Sequence, residues 1–149
     1  QSYPGVIGVH DLMIHDYGPG NLFATVHVEF PAETPVIEAH EVMDEIERDF
    51  QEQEHMILTI HYDPIVEENA EVAEIRAFVS KAAKEFDERL SIHEVRLVPG
   101  NESSNVIFDC VKPAGFKSSD GEISSYLQKR VAEWNPRYRC VIKVEQSYV

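Results

Sequence analysis

Histidine and aspartate side chains are concentrated in the first half of this sequence. Six of the seven histidines lie between positions 10 and 61, and His61 stands two residues before Asp63. Residues two apart in an extended segment point to the same side of the chain, so His61 and Asp63 are placed to act together. Imidazole nitrogens and carboxylate oxygens are ligands of divalent transition metals. The first chemistry that this pattern indicates is the binding of a cation.

Three further histidines are expected to approach this pair. Alternation along residues 22–30 puts His27 on a half-polar face, and the hairpin formed with residues 6–14 brings His10 into its neighbourhood. His40 projects from the edge of the apolar stripe of a helix, where that helix meets the sheet. A single strand histidine is usually a structural residue, so the hypothesis depends on convergence. The residues expected to meet at one edge of the sheet are His10, His27, His40, His61 and Asp63.

The donor types narrow the choice of metal. Nitrogen and carboxylate ligands suit Zn²⁺ first, with Mn²⁺, Co²⁺, Ni²⁺ and Fe²⁺ as alternatives, whereas a set without thiolates argues against copper(I) and iron-sulfur centres. Five donors exceed one tetrahedral zinc, so either one of them supports another ligand or two ions share a bridging group. His15 and Asp16, beside the Gly-Pro-Gly turn, are interpreted as hairpin residues.

Length and charge exclude several classes of protein. The 149 residues, 43% of them hydrophobic, suffice for one ordinary domain or two small ones, and the formal net charge is −14. That charge argues against partners such as nucleic acids and anionic membrane surfaces, because binding phosphates needs clustered Lys and Arg. No apolar run approaches the ~18 residues of a membrane helix, and no signal peptide is evident. Cys110 and Cys140 form no CxxC motif and are expected to be free thiols, with a disulfide between them as the alternative.

The elements that must position the donors occur in a repeated order of strand, turn, strand, helix and strand. Thr34 is expected to cap the first of these helices with Pro35 at its first position, and Ser119 with Glu122 forms a capping box for the second. The predicted first unit comprises strands 6–14, 22–30 and 56–61 and a helix reaching residue 53. The predicted second unit comprises a leading helix 69–90, strands 92–98, 105–111 and 140–146, and a helix 119–134.

This repetition predicts an α+β fold of two tandem ferredoxin-like units, residues 1–65 and 66–149, each an antiparallel sheet with helices on one face. Only the second unit has a leading helix, so we expect that of the first unit to lie upstream of Gln1 and the chain to be a fragment. In the second unit His93 takes the place of His10, and Cys110 follows it at the spacing that separates His10 from His27. Other counterparts of the donors are not evident, so a second metal site is not expected.

Four ordered motifs, GVHDLMIHDYGP, ATVHVEF, EAHEVMDEIE and TIHYDP, make residues 4–65 resemble the cytoplasmic C-terminal domain of cation diffusion facilitator transporters. The resemblance implies a metallochaperone-like fold, a homodimer, regulatory zinc or a related ion, and attachment to a transmembrane domain at the cytoplasmic face of the membrane. It puts the ligand positions on the same five residues: His10, His27, His40, His61 and Asp63. Residues 66–149 depart from the family pattern and are interpreted as an added lobe.

The preferred hypothesis is a cytosolic regulatory and dimerisation domain of a divalent-cation efflux transporter, in which metal is an allosteric ligand and no residue is catalytic. Two alternatives come from other classes of protein. One is a stand-alone metal-binding module. The other is a binuclear metal-dependent hydrolase, which would need an open coordination position and a separate general base.

Overall fold

A computed structural model describes residues 2–147. The chain divides into two compact units, Gln1–Ile65 and Val66–Val149, which we call the N-terminal and the C-terminal unit. The N-terminal unit consists of β1 (Gly8–Asp16), β2 (Leu22–Pro31), α1 (Val36–Glu54) and β3 (Met56–Ile65). The C-terminal unit consists of α2 (Ala70–Phe86), β4 (Ser91–Val98), β5 (Ser104–Lys112), α3 (Asp120–Trp134) and β6 (Tyr138–Gln146). No helix among the described residues has the length and apolarity needed to cross a bilayer.

The predicted fold class, α+β with two tandem ferredoxin-like units, is confirmed. The strand orders are β1-β2-β3 and β4-β5-β6, with the second strand of each unit in the centre. One detail of the prediction is wrong, because the sheets are mixed instead of antiparallel. The hairpins β1-β2 and β4-β5 are antiparallel, whereas β2-β3 and β5-β6 are parallel. The physical reason is that a helix carries the chain back along the sheet, so the next strand runs in the direction of the previous one.

Each sheet buries one face under helices. In the N-terminal unit α1 packs on β2 and β3, and the buried residues of this core are Ala24, Val26, Val28, Phe30, Ala39, Ile46 and Leu58. In the C-terminal unit α2 and α3 both contribute apolar stripes to the core, with Val72, Ile75 and Val79 from the first and Ile123, Leu127 and Val131 from the second. Since successive strand residues alternate between faces, His27 projects from the face opposite Val26 and Val28.

A side chain at the N-cap position accepts a backbone hydrogen bond in α2 and α3 but not in α1. The Asn69 side chain accepts a hydrogen bond from Val72 N at 2.8 Å. Ser119 Oγ accepts one from Glu122 N at 3.1 Å, which is the predicted cap. The expected Thr34 cap is wrong. Pro35 occupies the N-cap position without a side-chain hydrogen bond. Thr34 instead closes a turn, donating from its backbone N–H to Pro31 O at 2.9 Å.

Strand β3 extends beyond its predicted end. The sequence predicted a strand over residues 56–61 that closes at Asp63-Pro64, but β3 continues through Pro64 to Ile65. β3 lies at the edge of its sheet, where a proline without an N–H group costs no ladder hydrogen bond. The extension holds Asp63 in extended backbone beside His61, which matters for the candidate site.

Candidate metal centre

Three histidines stand side by side across the sheet of the N-terminal unit. His10 of β1 is paired in register with His27 of β2, and His27 is paired with His61 of β3. The ring centroids of His10 and His27 are 4.7 Å apart, and those of His27 and His61 are 4.4 Å apart. We call these three residues the histidine row. It lies on the sheet face opposite the core, so imidazoles from three strands are brought together without disturbing the apolar packing.

A second row lies two residues further along β2 and β3. Gly8 is paired with Glu29, and Glu29 is paired with Asp63, so two carboxylates share the face of the histidine row. Glu29 is 1% exposed and Asp63 is 3% exposed. A buried carboxylate is costly unless it is hydrogen-bonded or paired, and the histidine row supplies such partners.

Asp63 is the point on which the imidazoles converge. Its Oδ2 lies 3.0 Å from His27 Nδ1 and 3.3 Å from His10 Nε2, while its Oδ1 lies 3.5 Å from His61 Nε2. Ligand atoms of His10, His27 and Asp63 all lie within 4.8 Å of one another. In a tetrahedral site with bonds of 2.0–2.1 Å the ligand atoms are about 3.3 Å apart, so these three residues are close enough together to be able to hold a metal ion.

The predicted donors differ in their exposure. The His10 side chain is 11% exposed, that of His27 34%, and that of His61, on the edge strand, 68%. A cavity of about 600 Å³ lies beside His27 and His61 and is also lined by Met13, Thr25 and Thr59. The histidine row is therefore shielded at its His10 end and open to solutes at its His61 end.

His40 is the predicted donor that the fold does not bring into this cluster. It lies on α1, which packs on the core face of the sheet, whereas the histidine row occupies the other face. Its side chain is 66% exposed, and its Nδ1 lies 3.8 Å from Asp44 Oδ2 on the next helical turn. A ligand role for His40 stays a prediction.

The second His-Asp pair of the opening segment belongs to the hairpin, as interpreted from the sequence. Asp16 Oδ1 accepts a hydrogen bond from Gly18 N at 2.9 Å and so stabilises the turn. The exposed His15 ring lies against Tyr17, with 6.3 Å between ring centroids. The first pair is also divided, because Asp11 occupies a bulge in β1 with a φ of 52° and is exposed, while His10 points into the cluster.

Sequence reasoning missed Glu29. Its Oε1 lies 2.8 Å from His10 Nδ1. A signal was present, since Glu29 follows His27 by two residues in a strand, the same spacing that singled out His61 and Asp63. What local spacing could not supply is the burial of this carboxylate.

The C-terminal unit repeats the strand pairing of the N-terminal unit but does not place three histidines side by side. His93 pairs with Asp109, which pairs with Lys143, and Glu145 lies two residues beyond. Asp109, not Cys110, thus takes the place of His27. The expected spacing was wrong because 16 residues separate His93 from its partner, against 17 between His10 and His27.

Cys110 instead points into the core of the C-terminal unit. It is completely buried and burial raises the pKa of its thiol to about 11. Both cysteines are free thiols, as expected. Cys140 pairs in register with Val106, four residues before Cys110, and this places the two cysteines roughly 13 Å apart along the strands, too far for a disulfide.

Comparison with known proteins agrees with the motifs in the N-terminal unit. Residues 1–65 match the family described as cation efflux protein, cytoplasmic domain. The cation-efflux pump FieF of Yersinia enterocolitica is 45% identical over 47 residues, covering 32% of this chain and 15% of the pump. The cation-efflux pump FieF of Escherichia coli is 40% identical over 47 residues, with the same coverage of 32% and 15%. That of Salmonella newport is 38% identical over 64 residues, covering 42% of this chain and 21% of the pump.

These comparisons concern only part of each protein. The chain spans between 15% and 21% of the length of these pumps. No solved structure matches the chain significantly.

Proposed function

Because residues 1–65 match the cytoplasmic domain of cation efflux proteins, we propose that this chain is the cytosolic metal-sensing and dimerisation part of a divalent-cation efflux transporter. The observation that carries the proposal is the convergence of three imidazoles on the buried Asp63 carboxylate. A sheet face that gathers nitrogen donors around one acid, away from the core, is suited to binding a cation. In this proposal the ion is a regulatory ligand and no residue is catalytic.

His10, His27 and Asp63 would hold the ion. Their donor atoms are already within 4.8 Å of one another, so binding needs little rearrangement of the strands. His61 lies against the other oxygen of Asp63, where it would serve as a fourth ligand or, with Asp63 bridging, as a ligand of a second ion. Zn²⁺ suits the nitrogen-rich set best, and Mn²⁺, Co²⁺, Ni²⁺ and Fe²⁺ are the alternatives.

Metal binding would act on the association of two chains. Each chain carries a formal net charge of −14, so two chains repel each other at low ionic strength. Bound dications remove part of that charge and favour the dimer arrangement that binds them better. The coupling is reciprocal, because an arrangement that is stabilised by metal must also bind metal more tightly. A transmembrane domain attached to the chain would sense this shift in population.

The test is titration calorimetry with Zn²⁺ and with Mn²⁺, combined with sedimentation velocity before and after metal addition. We expect saturable binding at one or two ions per chain and a larger dimer fraction with metal. Absence of saturable binding by either ion would contradict metal sensing. Binding without any change in sedimentation would contradict the regulatory part and favour the alternative of a metal-binding module.

The gene provides an independent test of the transporter assignment. Hydrophobic segments long enough to span a membrane, encoded in the same reading frame as this chain, would support it. A complete reading frame that encodes only this chain would contradict it.

A further inference from the structure

Glu29 is a buried acid whose partner is a ligand of the candidate centre. It is 1% exposed, and its Oε1 lies 2.8 Å from His10 Nδ1. An ionised carboxylate only accepts hydrogen bonds, so this contact requires the proton of a neutral His10 ring to be on Nδ1. The other ring nitrogen, Nε2, then carries the lone pair, and its own carboxylate contact, with Asp63 Oδ2, is longer at 3.3 Å. Glu29 thus selects the tautomer in which His10 can bind a cation through Nε2.

The direction of that lone pair fits the centre. His10 Nε2 lies 3.3 Å from Asp63 Oδ2, the oxygen that also faces His27. His10 therefore connects two buried carboxylates, with Glu29 on one side of the ring and the metal-facing Asp63 on the other. A hydrogen bond from the second nitrogen of a ligating histidine to a carboxylate fixes the ring and raises its basicity.

Gly8 makes room for this arrangement. It is paired in register with Glu29, and a Cβ atom built on Gly8 would lie 2.8 Å from Glu29 Oε2 and 3.1 Å from Glu29 Cδ. Gly8 does not have a left-handed backbone, so space and not conformational freedom explains the glycine. The Glu29 carboxylate thus occupies the space that the side chain of any other residue at position 8 would fill.

From this geometry we propose that Glu29 is a positioning residue of the candidate centre, which holds His10 in the metal-binding tautomer, and that Gly8 is required to admit its carboxylate. This inference rests on the proposed metal binding at the same site. Glu29 itself contacts the ring of His10 and does not replace Asp63 as the acid facing the ion. Removal of a carboxylate that orients a ligating histidine in this way commonly changes metal affinity 10–100-fold.

The first experiment uses metal-free protein, so its result does not depend on metal binding. Long-range ¹H–¹⁵N NMR spectra at pH 8 report which nitrogen of each histidine carries the proton. We expect Nδ1–H for His10 in the unchanged chain and in Glu29→Gln, whose amide oxygen can still accept the bond, and loss of this preference in Glu29→Ala. An Nε2–H tautomer for His10 in the unchanged chain would overturn the inference.

The second experiment measures Zn²⁺ affinity by competition with a chromophoric chelator. We expect Glu29→Ala and Gly8→Ala to weaken binding 10–100-fold, Glu29→Gln to weaken it less, and Glu41→Ala, which removes an exposed carboxylate from α1, to leave it unchanged. Circular dichroism of each variant establishes that it is folded, and Glu29→Gln decides the question if Glu29→Ala is not.

The outcomes separate the two proposals. If the unchanged chain binds neither Zn²⁺ nor Mn²⁺, the proposed function fails, while the NMR result still decides whether Glu29 sets the tautomer of His10. If the unchanged chain binds Zn²⁺ and Glu29→Ala binds it equally well, the positioning role fails and the proposed function stands. Equal losses in Glu29→Gln and Glu29→Ala with an unchanged His10 tautomer would overturn the inference by making Glu29 a direct ligand.

Discussion

His27 Nδ1 and Asp63 Oδ2 lie 3.0 Å apart, although 36 positions separate the two residues in sequence. They belong to neighbouring parallel strands, in which His27 is paired with His61 and Asp63 follows two residues later. The diagonal contact places one carboxylate between the histidines of different strands. Parallel pairing thus converts a local His-x-Asp motif into a site that spans the sheet.

Removing this contact should abolish metal binding and preserve the fold. We expect His27→Ala and Asp63→Asn each to weaken Zn²⁺ binding more than about 100-fold in calorimetry, because the first removes a ligand from the three-residue cluster and the second replaces its charged carboxylate with a neutral amide. The free energy of unfolding should change by about 1–3 kcal/mol, the size of one hydrogen bond to a neutral or charged group, since the core occupies the other face. His15→Ala, in the hairpin, is the matched control. Unchanged affinity in both variants would exclude these residues as ligands.

His40→Ala should affect binding of the first ion less than His27→Ala does. The His40 side chain is 66% exposed and lies on the helix that covers the core face. We expect a change in Zn²⁺ affinity of less than about threefold, well under the effect of removing a ligand. The same calorimetric titration measures it in dilute protein. A loss as large as that in His27→Ala would show that His40 completes the centre.

Metal affinity should fall as the solution is acidified. Imidazole binds a cation only through a deprotonated nitrogen, so protons compete with the metal for His10, His27 and His61. Zn²⁺ titrations at pH 8, 7, 6 and 5 should therefore show steadily weaker binding with proton release into the buffer. Affinity that is undiminished at pH 5 would contradict imidazole ligation.

The two thiols should react slowly in the folded protein. Burial raises the pKa of Cys110 to about 11 and that of Cys140 to about 12. Because the thiolate is the reactive form, fewer than about one thiol in a thousand is reactive at pH 8. We expect a disulfide-exchange reagent to modify both within seconds in guanidinium chloride and neither on that timescale in buffer. Rapid modification of the native chain would show that the thiols on β5 and β6 are accessible to solvent.

Substitution of Asn69, which caps α2, should reduce stability more than substitution of Thr34, which caps no helix. Asn69→Ala should lower the free energy of unfolding of the C-terminal unit by about 1 kcal/mol, because the Val72 N–H loses its acceptor. Thr34→Ala should change stability by less than about 0.5 kcal/mol, since Thr34 caps no helix. Urea denaturation followed by circular dichroism compares the two, and a larger loss in Thr34→Ala would contradict the assigned start of α1.

The elements of this fold follow from local patterns. Alternation along β2 and the apolar stripes of the helices predict which residues face the core, because side-chain direction repeats every 2 residues in a strand and every 3.6 in a helix. The Ser119 cap is equally local, since its acceptor and donor are three residues apart. Thr34 shows the limit of such reasoning. Its backbone N–H donates to Pro31 O in a turn, and Thr34 does not cap the helix that follows.

By itself, the sequence determined the α+β class, the repeated unit, and the common side on which His61 and Asp63 emerge. Only the tertiary structure decided which donors meet. Strand register depends on loop length and on the bulges in β1 and β4, and these bring His10 opposite His27 and make Asp109 the counterpart of His27. The packing of α1 on the core leaves His40 on the other face of the sheet. The burial of Glu29 and its contact with His10 likewise arise from the packing of neighbouring strands, and residue spacing within one strand does not predict them.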